Sequence, residues 1–351
     1  MLFTCQALTW CALAVGVLAR DPYRLAGIVA GPGTIATGFV RVRDTEVDKG
    51  TQIPVSVVHG AHHGPTLLLI AGIHGSEYNP IVALQRLPSV LDPKHLSGTV
   101  VVVHIANPPA FFGRTIYTSP QDSKNLNRLF PGKSNGTVSD RIAHVLSEQF
   151  IARAHAVIDL HCGDANEDML PWAGYYAGIG GHDLVSQSRA LVEAFGVSPI
   201  VQFPFHPTSV SETIYTGPTA LTLGIPSFDV EVGRLGQVEG DLVETIVDGL
   251  KNVMRYMGIL PEQPLPIRTP WYVAKRDFYV SHYSGFFYNK VKAGDHVKEG
   301  QTIGHTTDVF GEPLQHVTAT NPGIVLLVVA RPATNANESV AVVAVRSDPG
   351  F

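Results

Sequence analysis

Cysteine and charge are both scarce in this sequence. The 351 residues contain three cysteines, Cys5, Cys11 and Cys162, and no CxxC pair. This scarcity argues against a disulfide framework and against a structural zinc knot built on cysteine. Charged residues make up 16% of the chain, the net charge is −5, and no long basic run occurs. Because phosphate binding needs clustered Lys and Arg, we expect no nucleic-acid partner.

Long apolar runs are also missing after the first segment. No run beyond residue 19 approaches the roughly 20 apolar residues of a membrane span, so none is predicted. Residues 1–19 are predicted to be a signal peptide, because 7–19 are nearly all apolar and 17–19 offer small residues to a signal peptidase. The basic start of a signal peptide is missing, and the alternative is an apolar element packed on the core. The signal predicts export to the periplasm or medium; without it the chain is cytoplasmic.

Apolar strands and helices alternate over residues 20–260. Strands are predicted at 65–73, 98–107, 155–161 and 225–233, and helices at 78–87, 138–154, 183–196 and 240–258. Ser139 is predicted to cap the second helix. Strands that are almost wholly apolar are typical of sheets covered on both faces. We therefore predict an α/β domain with a mostly parallel mixed sheet flanked by helices.

The composition changes after a proline-rich linker at 261–270. Residues 271–351 show short strands and turns without a helical period, which predicts a small all-β barrel or sandwich domain. The stretch GDHVKEGQTIG resembles biotinyl and lipoyl carrier domains, but the matching turn, TTDVFGEPLQ, has no lysine to modify. A capping or assembly role is therefore the better interpretation of this region.

A histidine and a glutamate directly follow one apolar strand, in AGIHGSEYNP (71–80). Such side chains are costly to desolvate unless they are paired, so His74 and Glu77 indicate a metal site. Two further predicted strands end in the same way, at His161 and at Glu231. Open α/β sheets build their sites beyond the carboxyl ends of strands, so we expect these four side chains at one edge.

Coordination chemistry divides these four side chains into ligands and a proton carrier. Catalytic zinc prefers three protein ligands and one open position, which His74, Glu77 and His161 would satisfy. The remaining carboxylate, Glu231, is free to take a proton from water and pass it to a leaving group. Asp159 shares a strand face with His161, and is either its orienting partner or an ordinary hydrogen-bonded acid.

A long loop at 108–137 supplies candidates for substrate binding. The candidates in RTIYTSPQDSKNLNRLFPG (114–132) are Arg114, Asn125, Asn127 and Arg128. Arginine binds carboxylates through a planar, two-pronged contact, and asparagine both donates and accepts hydrogen bonds. The alternative is a solvated surface loop. Tyr215, in SETIYTGP, is a further candidate, with packing as its alternative role.

Four motifs, HGSEY, NLNRLFPG, VIDLHCGD and FDVEVG, occur in this order. Together they resemble the succinylglutamate desuccinylase/aspartoacylase family of the zinc carboxypeptidase superfamily. The likeness covers most of residues 50–258, and the β-rich tail also fits. It implies one zinc ion at His74, Glu77 and His161, with Glu231 as the general base and acid.

The same resemblance implies roles for the loop. Asn127 and Arg128 match the family's pair that grips the substrate carboxylate, and Arg114 matches an arginine that polarises the scissile carbonyl. Many relatives have Asp-Leu-Asn-Arg where this chain has Asn125 at the first position. This difference removes an acid close to Arg128.

The predicted function is a zinc-dependent deacylase. It would release an acyl group from a small carboxylate-bearing N-acyl amino acid or a related amide or ester. The alternatives are a metallocarboxypeptidase that acts on peptides and a non-catalytic binding protein with the same fold. The expected partner is a small-molecule substrate, and a homo-oligomer is compatible with the sequence.

Overall fold

The computed structural model describes residues 20–207, 209–266 and 269–347. The predicted signal segment lies outside these residues, and so do Cys5 and Cys11. Within the described ranges, no helix is both long enough and apolar enough to cross a membrane.

Six α-helices and nineteen strands are found in the described residues. The helices are α1 (Tyr78–Arg86), α2 (Pro108–Gly113), α3 (Val138–Gln149), α4 (Gly181–Phe195), α5 (Thr216–Thr222) and α6 (Gly240–Tyr256). The strands up to the linker are β1 (Tyr23–Leu25), β2 (Ile28–Ala30), β3 (Thr34–Val42), β4 (Thr51–His59), β5 (His62–Ala71), β6 (Ser97–Val103), β7 (Ala156–His161), β8 (Glu167–Met169), β9 (Trp172–Tyr176), β10 (Ile200–Phe203) and β11 (Ser227–Glu231). The strands after it are β12 (Tyr272–Ser281), β13 (Gly285–Asn289), β14 (His296–Val297), β15 (Thr302–Thr307), β16 (Pro313–Thr318), β17 (Gly323–Val329), β18 (Ala333–Thr334) and β19 (Glu338–Arg346).

One large mixed sheet organises the molecule. Its strand order is β14-β17-β19-β12-β10-β9-β11-β7-β5-β6-β4-β3, and β8 pairs with β17. Strands β11, β7, β5 and β6 run parallel to one another at its centre. The pairs near both ends are antiparallel. The predicted α/β fold is confirmed, with parallel pairing confined to the middle of the sheet.

The apolar strands are buried on both faces, as their composition predicts. In β5, Leu67 and Leu69 join the core beneath α1, α4 and α6. The alternate residues Leu68 and Ile70 join the opposite core, which includes residues of α3. Side chains of successive strand residues point to opposite faces, so a strand covered on both sides is apolar throughout.

The C-terminal region is all-β, as predicted, but it is continuous with the large sheet. Strand β12 pairs in parallel with β10, where Ile200 lies opposite Tyr272. Strands β12, β19, β17 and β14 therefore extend the sheet that carries the site. A second, four-stranded sheet has the order β16-β15-β13-β18. An apolar core that includes Phe287, Ile303 and Val343 stabilises this region.

Candidate metal centre and its cavity

His74 and Glu77 lie in the tight connection between β5 and α1, and Glu77 is the N-cap residue of that helix. Two glycines make this connection possible. Gly72 has a φ of 71°, a conformation that residues with a Cβ atom rarely adopt. At Gly75 a Cβ atom would lie 2.4 Å from the carbonyl oxygen of Ala110. The sequence HGSE can therefore bring its two polar side chains back over the end of the sheet.

His161 and Glu231 reach the same edge from neighbouring strands. They are the last residues of β7 and β11, and the parallel register of these strands places them directly opposite each other. Strand β7 also pairs with β5. The four side chains predicted to converge therefore meet at the carboxyl ends of three adjacent parallel strands.

His74, Glu77 and His161 form a compact group that can hold a metal ion. Their candidate ligand atoms all lie within 4.8 Å of one another, and the three residues are buried. Nδ1 of His74 lies 2.6 Å from Oε1 of Glu77, and Nδ1 of His161 lies 2.8 Å from Oε2. Both imidazoles thus present the same nitrogen to one carboxylate.

The other ring nitrogens also face oxygen atoms. Nε2 of His74 lies 3.2 Å from Oδ1 of Asn125, which also accepts a hydrogen bond from the backbone N–H of Asn127. Nε2 of His161 lies 3.2 Å from Oδ2 of Asp159. A neutral imidazole has only one N–H to donate, yet each ring meets acceptors on both sides. A cation bound at the Nδ1 atoms removes this conflict, so these residues fit a metal ion.

Electrostatics at the group match this arrangement. Burial opposes ionisation of Glu77, but the imidazoles of His74 and His161 lower the pKa of its carboxyl to about 2. Burial also opposes a charge on His161, but the carboxylates of Asp159 and Glu77 raise its pKa well above the ordinary value. The protein alone therefore concentrates negative charge around the two imidazoles, as a cation site requires.

Glu231 stands apart from this ligand group as a further carboxyl. Burial raises the pKa of Glu231 well above its ordinary value; the imidazole of His161 opposes this rise, and the negative charge of Glu77 adds to it. A carboxyl group with a raised pKa can both accept and donate a proton near neutral pH.

These residues open onto a cavity of about 590 Å³. The size is typical of a small-molecule site. Of the residues predicted from the sequence, those that line this cavity are His74, Glu77, Asn125, Asn127, Arg128, His161, Tyr215 and Glu231. The structure therefore brings together the predicted metal group, the predicted proton carrier and most of the predicted substrate-binding residues.

The loop residues lie on one side of the cavity. The guanidinium of Arg128 stacks 5.0 Å from the ring centroid of Tyr215, and its Nη1 donates to the backbone oxygen of Asn127. The side-chain oxygen of Asn127 is buried and has no hydrogen-bond partner among the residues that the structure describes. Oδ1 of Asn125 faces Nε2 of His74, so Asn125 lies beside the His74–Glu77–His161 group.

Arg114 is the exception among the predicted residues. It ends the short helix α2 with a φ of 54°, is exposed, and is not among the residues that line the cavity. Its predicted contact with a scissile carbonyl stays a prediction.

Several cavity residues had not been predicted. Glu167 follows His161 within CGDANEDMLPW, and burial and the charge of Asp164 raise its pKa to about 7. Tyr117 donates a hydrogen bond to Glu167 and packs edge-on against the ring of His74. The remaining polar and aromatic additions are Trp172, Tyr176, Phe203, Phe205, Asp229 and Arg276. The sequence signal that could have found Glu167 is an acid close to the predicted ligand His161. The aromatic residues carry no such signal.

The fold is the zinc-carboxypeptidase-like α/β architecture that the motifs implied. The family model for the succinylglutamate desuccinylase/aspartoacylase catalytic domain matches residues 63–257. The chain therefore belongs to the succinylglutamate desuccinylase/aspartoacylase family.

Individual relatives agree with this assignment. The chain is 31% identical over 283 residues to N-alpha-acetyl-L-2,4-diaminobutyric acid deacetylase of Halomonas elongata, covering 78% of this chain and 80% of that protein. A crystal structure of a succinylglutamate desuccinylase/aspartoacylase from Rhodobacter sphaeroides matches with a TM-score of 0.78 and 25% identity, over 96% of this chain and 99% of the other. The product-bound ectoine utilization protein EutE (DoeB) from Ruegeria pomeroyi matches with a TM-score of 0.79 and 26% identity, over 93% and 98%.

Proposed function

We propose that this protein is a zinc-dependent deacylase that hydrolyses small N-acyl amino acids. The observation that carries the proposal is the position of Glu231 directly opposite His161, beside a His–Glu–His group at the edge of one cavity. The name of the Halomonas elongata relative supports a deacylation reaction. Family membership supports the same class of reaction.

Zinc held by His74, Glu77 and His161 would act as a Lewis acid toward the scissile carbonyl and would acidify water. Glu231 would take the proton from the attacking water. It would then deliver this proton to the nitrogen of the departing amine, which a carboxyl group of raised pKa can do. Asp159 and Asn125 would keep the two imidazoles in the tautomer that leaves Nδ1 free for the metal.

Arg128 and Asn127 would hold the substrate carboxylate at the loop side of the cavity. Arg128 forms no ion pair within the described residues, and the side-chain oxygen of Asn127 lacks a partner. The C-terminal region contributes Arg276 and Leu327 to the cavity lining. Because the C-terminal region forms part of the cavity lining, we expect the cavity to favour a small substrate over a polypeptide, which weighs against the carboxypeptidase alternative.

The first experiment measures zinc and deacylation together. Elemental analysis of the full chain is expected to find about one zinc per chain, and His161→Ala is expected to lose it. His95→Ala, which changes an exposed histidine, is the matched control. The purified protein is then screened for amine released from N-acyl amino acids, including N-acetyl-L-2,4-diaminobutyrate. A protein that neither contains nor takes up zinc would overturn the proposal, and stepwise loss of C-terminal residues from peptides would favour the carboxypeptidase instead.

A further inference from the structure

Asp159 and Asp229 face each other across two neighbouring strands. They are paired residues in the parallel register of β7 and β11. Adjacent strands lie about 4.8 Å apart, so the two carboxyl groups are within reach of each other. Val157, on the same face of β7 as Asp159, packs in the core that includes Ala220 of α5. The two acids therefore lie side by side on the face of the sheet that α5 covers.

One oxygen of each carboxyl group has a partner and the other has none. Oδ2 of Asp159 lies 3.2 Å from Nε2 of His161, and Oδ2 of Asp229 accepts a hydrogen bond of 2.7 Å from the hydroxyl of Tyr176. Both Oδ1 atoms are buried and have no hydrogen-bond partner in the described part of the chain. Tyr176 lies in β9, on the side of β11 away from β7. Its contact therefore leaves the second oxygen of Asp229 for the side of Asp159.

Two adjacent buried carboxyl groups favour the state in which only one is ionised. Asp159 is better placed to carry the charge, because an imidazole faces it. The titratable side chains around Asp229 are Asp159, His161, Tyr176 and Glu231, and the covering helix α5 has no charged residue. Burial and the charge of Asp159 raise the pKa of Asp229 to about 7, and the hydrogen bond from Tyr176 only partly opposes this rise.

We propose that Asp229 is a positioning residue that keeps a proton on its carboxyl group and donates it in a hydrogen bond to the free oxygen of Asp159. The inference rests on the zinc site of the proposed function. The bond keeps Asp159 ionised and turned toward His161. Support for this metal ligand thus extends from β7 to β11, and through Tyr176 to β9. Asp229 acts on the ligand only through Asp159.

The first test compares zinc affinity in two variants, by competition with a chromogenic chelator. The amide of Asp229→Asn can still donate a hydrogen bond to Asp159, so the affinity is expected to stay within about threefold of the wild type. Asp229→Leu has no donor and is expected to weaken zinc binding about 10-fold. If Asp229 were ionised instead, Asp229→Asn would remove a negative charge near the cation and would weaken binding as well.

A third variant and a folding measurement separate positioning from general damage. Asp277→Asn changes another buried strand acid, which pairs with Lys275 and Asn321 and does not line the cavity. Its zinc affinity is expected to equal that of the wild type. Thermal unfolding of each variant shows whether it is folded, and Asp229→Asn keeps the inference testable if Asp229→Leu does not fold.

The pH dependence of stability reports on the proton without any turnover. An unfolded aspartate titrates near pH 4, whereas the native carboxyl group of Asp229 stays protonated up to about pH 7. The native state therefore binds more protons in this window, and this group makes the free energy of unfolding fall as pH rises. Asp229→Asn lacks this fall. In urea unfolding with zinc in excess, the variant is expected to gain stability relative to the wild type from about pH 5 to pH 7.

Infrared difference spectra observe the proton directly. At about pH 6, below the raised pKa, the wild type minus Asp229→Asn is expected to show the carbonyl stretch of a protonated carboxyl group. Glu231 and Glu167 are present in both proteins and cancel. The inference is overturned if this band is absent, if Asp229→Asn loses zinc affinity as Asp229→Leu does, or if a folded Asp229→Leu loses none. Zinc binding and deacylation without the band would sink the inference alone. The band in a protein that binds no zinc would sink the proposed function and leave the carboxyl pair.

Discussion

Oδ2 of Asp159 lies 3.2 Å from Nε2 of His161, while Nδ1 of the same ring faces Glu77. The imidazole is therefore held from both sides, and a carboxylate in this position would strengthen its basicity toward a bound metal ion. Asp159 lies in the buried strand β7 and is only 3% exposed, so its contact with His161 ties this imidazole to the interior of the sheet.

Replacement of Asp159 by Asn is expected to weaken zinc binding about 10- to 100-fold, because the amide lacks the charge that supports His161. Competition with a chromogenic chelator measures the affinity. Asp92→Asn is the matched control, since Asp92 makes a similar pair with His95 on the exposed surface. An unchanged affinity in the Asp159 variant would show that the carboxylate does not support the ligand.

Replacement of Glu231 by Gln is expected to lower kcat about 10²- to 10⁴-fold, because the amide can no longer carry a proton between water and amine. The zinc content is expected to stay the same, since Glu231 is not one of the three grouped ligands. Turnover and elemental analysis of the same sample check both points. Glu262→Gln, at an exposed acid, is the control. Near-normal turnover in the Glu231 variant would contradict the mechanism.

Replacement of Asp122 by Ala is expected to loosen the loop that carries the predicted substrate-binding residues. Its carboxylate accepts hydrogen bonds from the backbone N–H and the hydroxyl of Ser139 in the first turn of α3, and from the backbone N–H of Lys124. Loss of such a capping contact costs about 1 kcal/mol of unfolding free energy. Because Asn125 to Arg128 follow directly, we also expect KM to rise more than kcat falls.

Urea unfolding and steady-state kinetics test the loop prediction. Asp183→Ala is the control, because this acid also lies in a first helical turn but is almost fully exposed. A KM equal to that of the wild-type protein would show that the loop keeps its shape without Asp122.

His59 is expected to make the protein less stable in mild acid. Its side chain is buried between the hydroxyl of Thr99 and the carbonyl of Asp21. Burial lowers its pKa, and the hydrogen bond to Asp21 only partly opposes the shift. Below about pH 6.5 the unfolded chain takes up a proton that the native state resists. The free energy of unfolding therefore falls as pH decreases toward the lower native pKa.

Urea midpoints measured between neutral and mildly acidic pH test this dependence. The fall in stability is expected to be smaller in His59→Gln, which has no titrating ring at this position. His63→Gln changes an exposed histidine of the next strand and is the control. Identical pH dependence in the wild-type protein and His59→Gln would exclude a contribution from this ring.

The convergence of His74, Glu77 and His161 could be predicted from the sequence because its signals are local. Each of β5, β7 and β11 is an apolar run followed at once by polar residues, and adjacent parallel strands end at one edge. The helix start at residue 138 was also predictable, but its cap was assigned incorrectly. Thr137 is the N-cap, because Asp140 accepts its backbone N–H, while Ser139 bonds to Asp122 instead.

The rest of the site depends on contacts between distant parts of the chain. Arg276 enters the cavity only because β12 pairs with β10, and no motif marks that pairing. Phe203 likewise acquires its role from the rings that pack against it. The position of Arg114 follows from α2, a short helix within a stretch that the sequence predicted to be a loop.

The pairing of β12 with β10 also has a consequence for truncated forms of the chain. The family signature spans residues 63–257, and a fragment cut at the linker would still contain every grouped ligand and Glu231. That fragment would leave β10 as an open edge strand, a surface that invites association between chains. It would also lose Arg276 and Leu327 from the cavity lining. We therefore expect the smallest autonomously folding chain to be longer than the stretch that identifies the family, and we expect chains truncated at the linker to associate through β10.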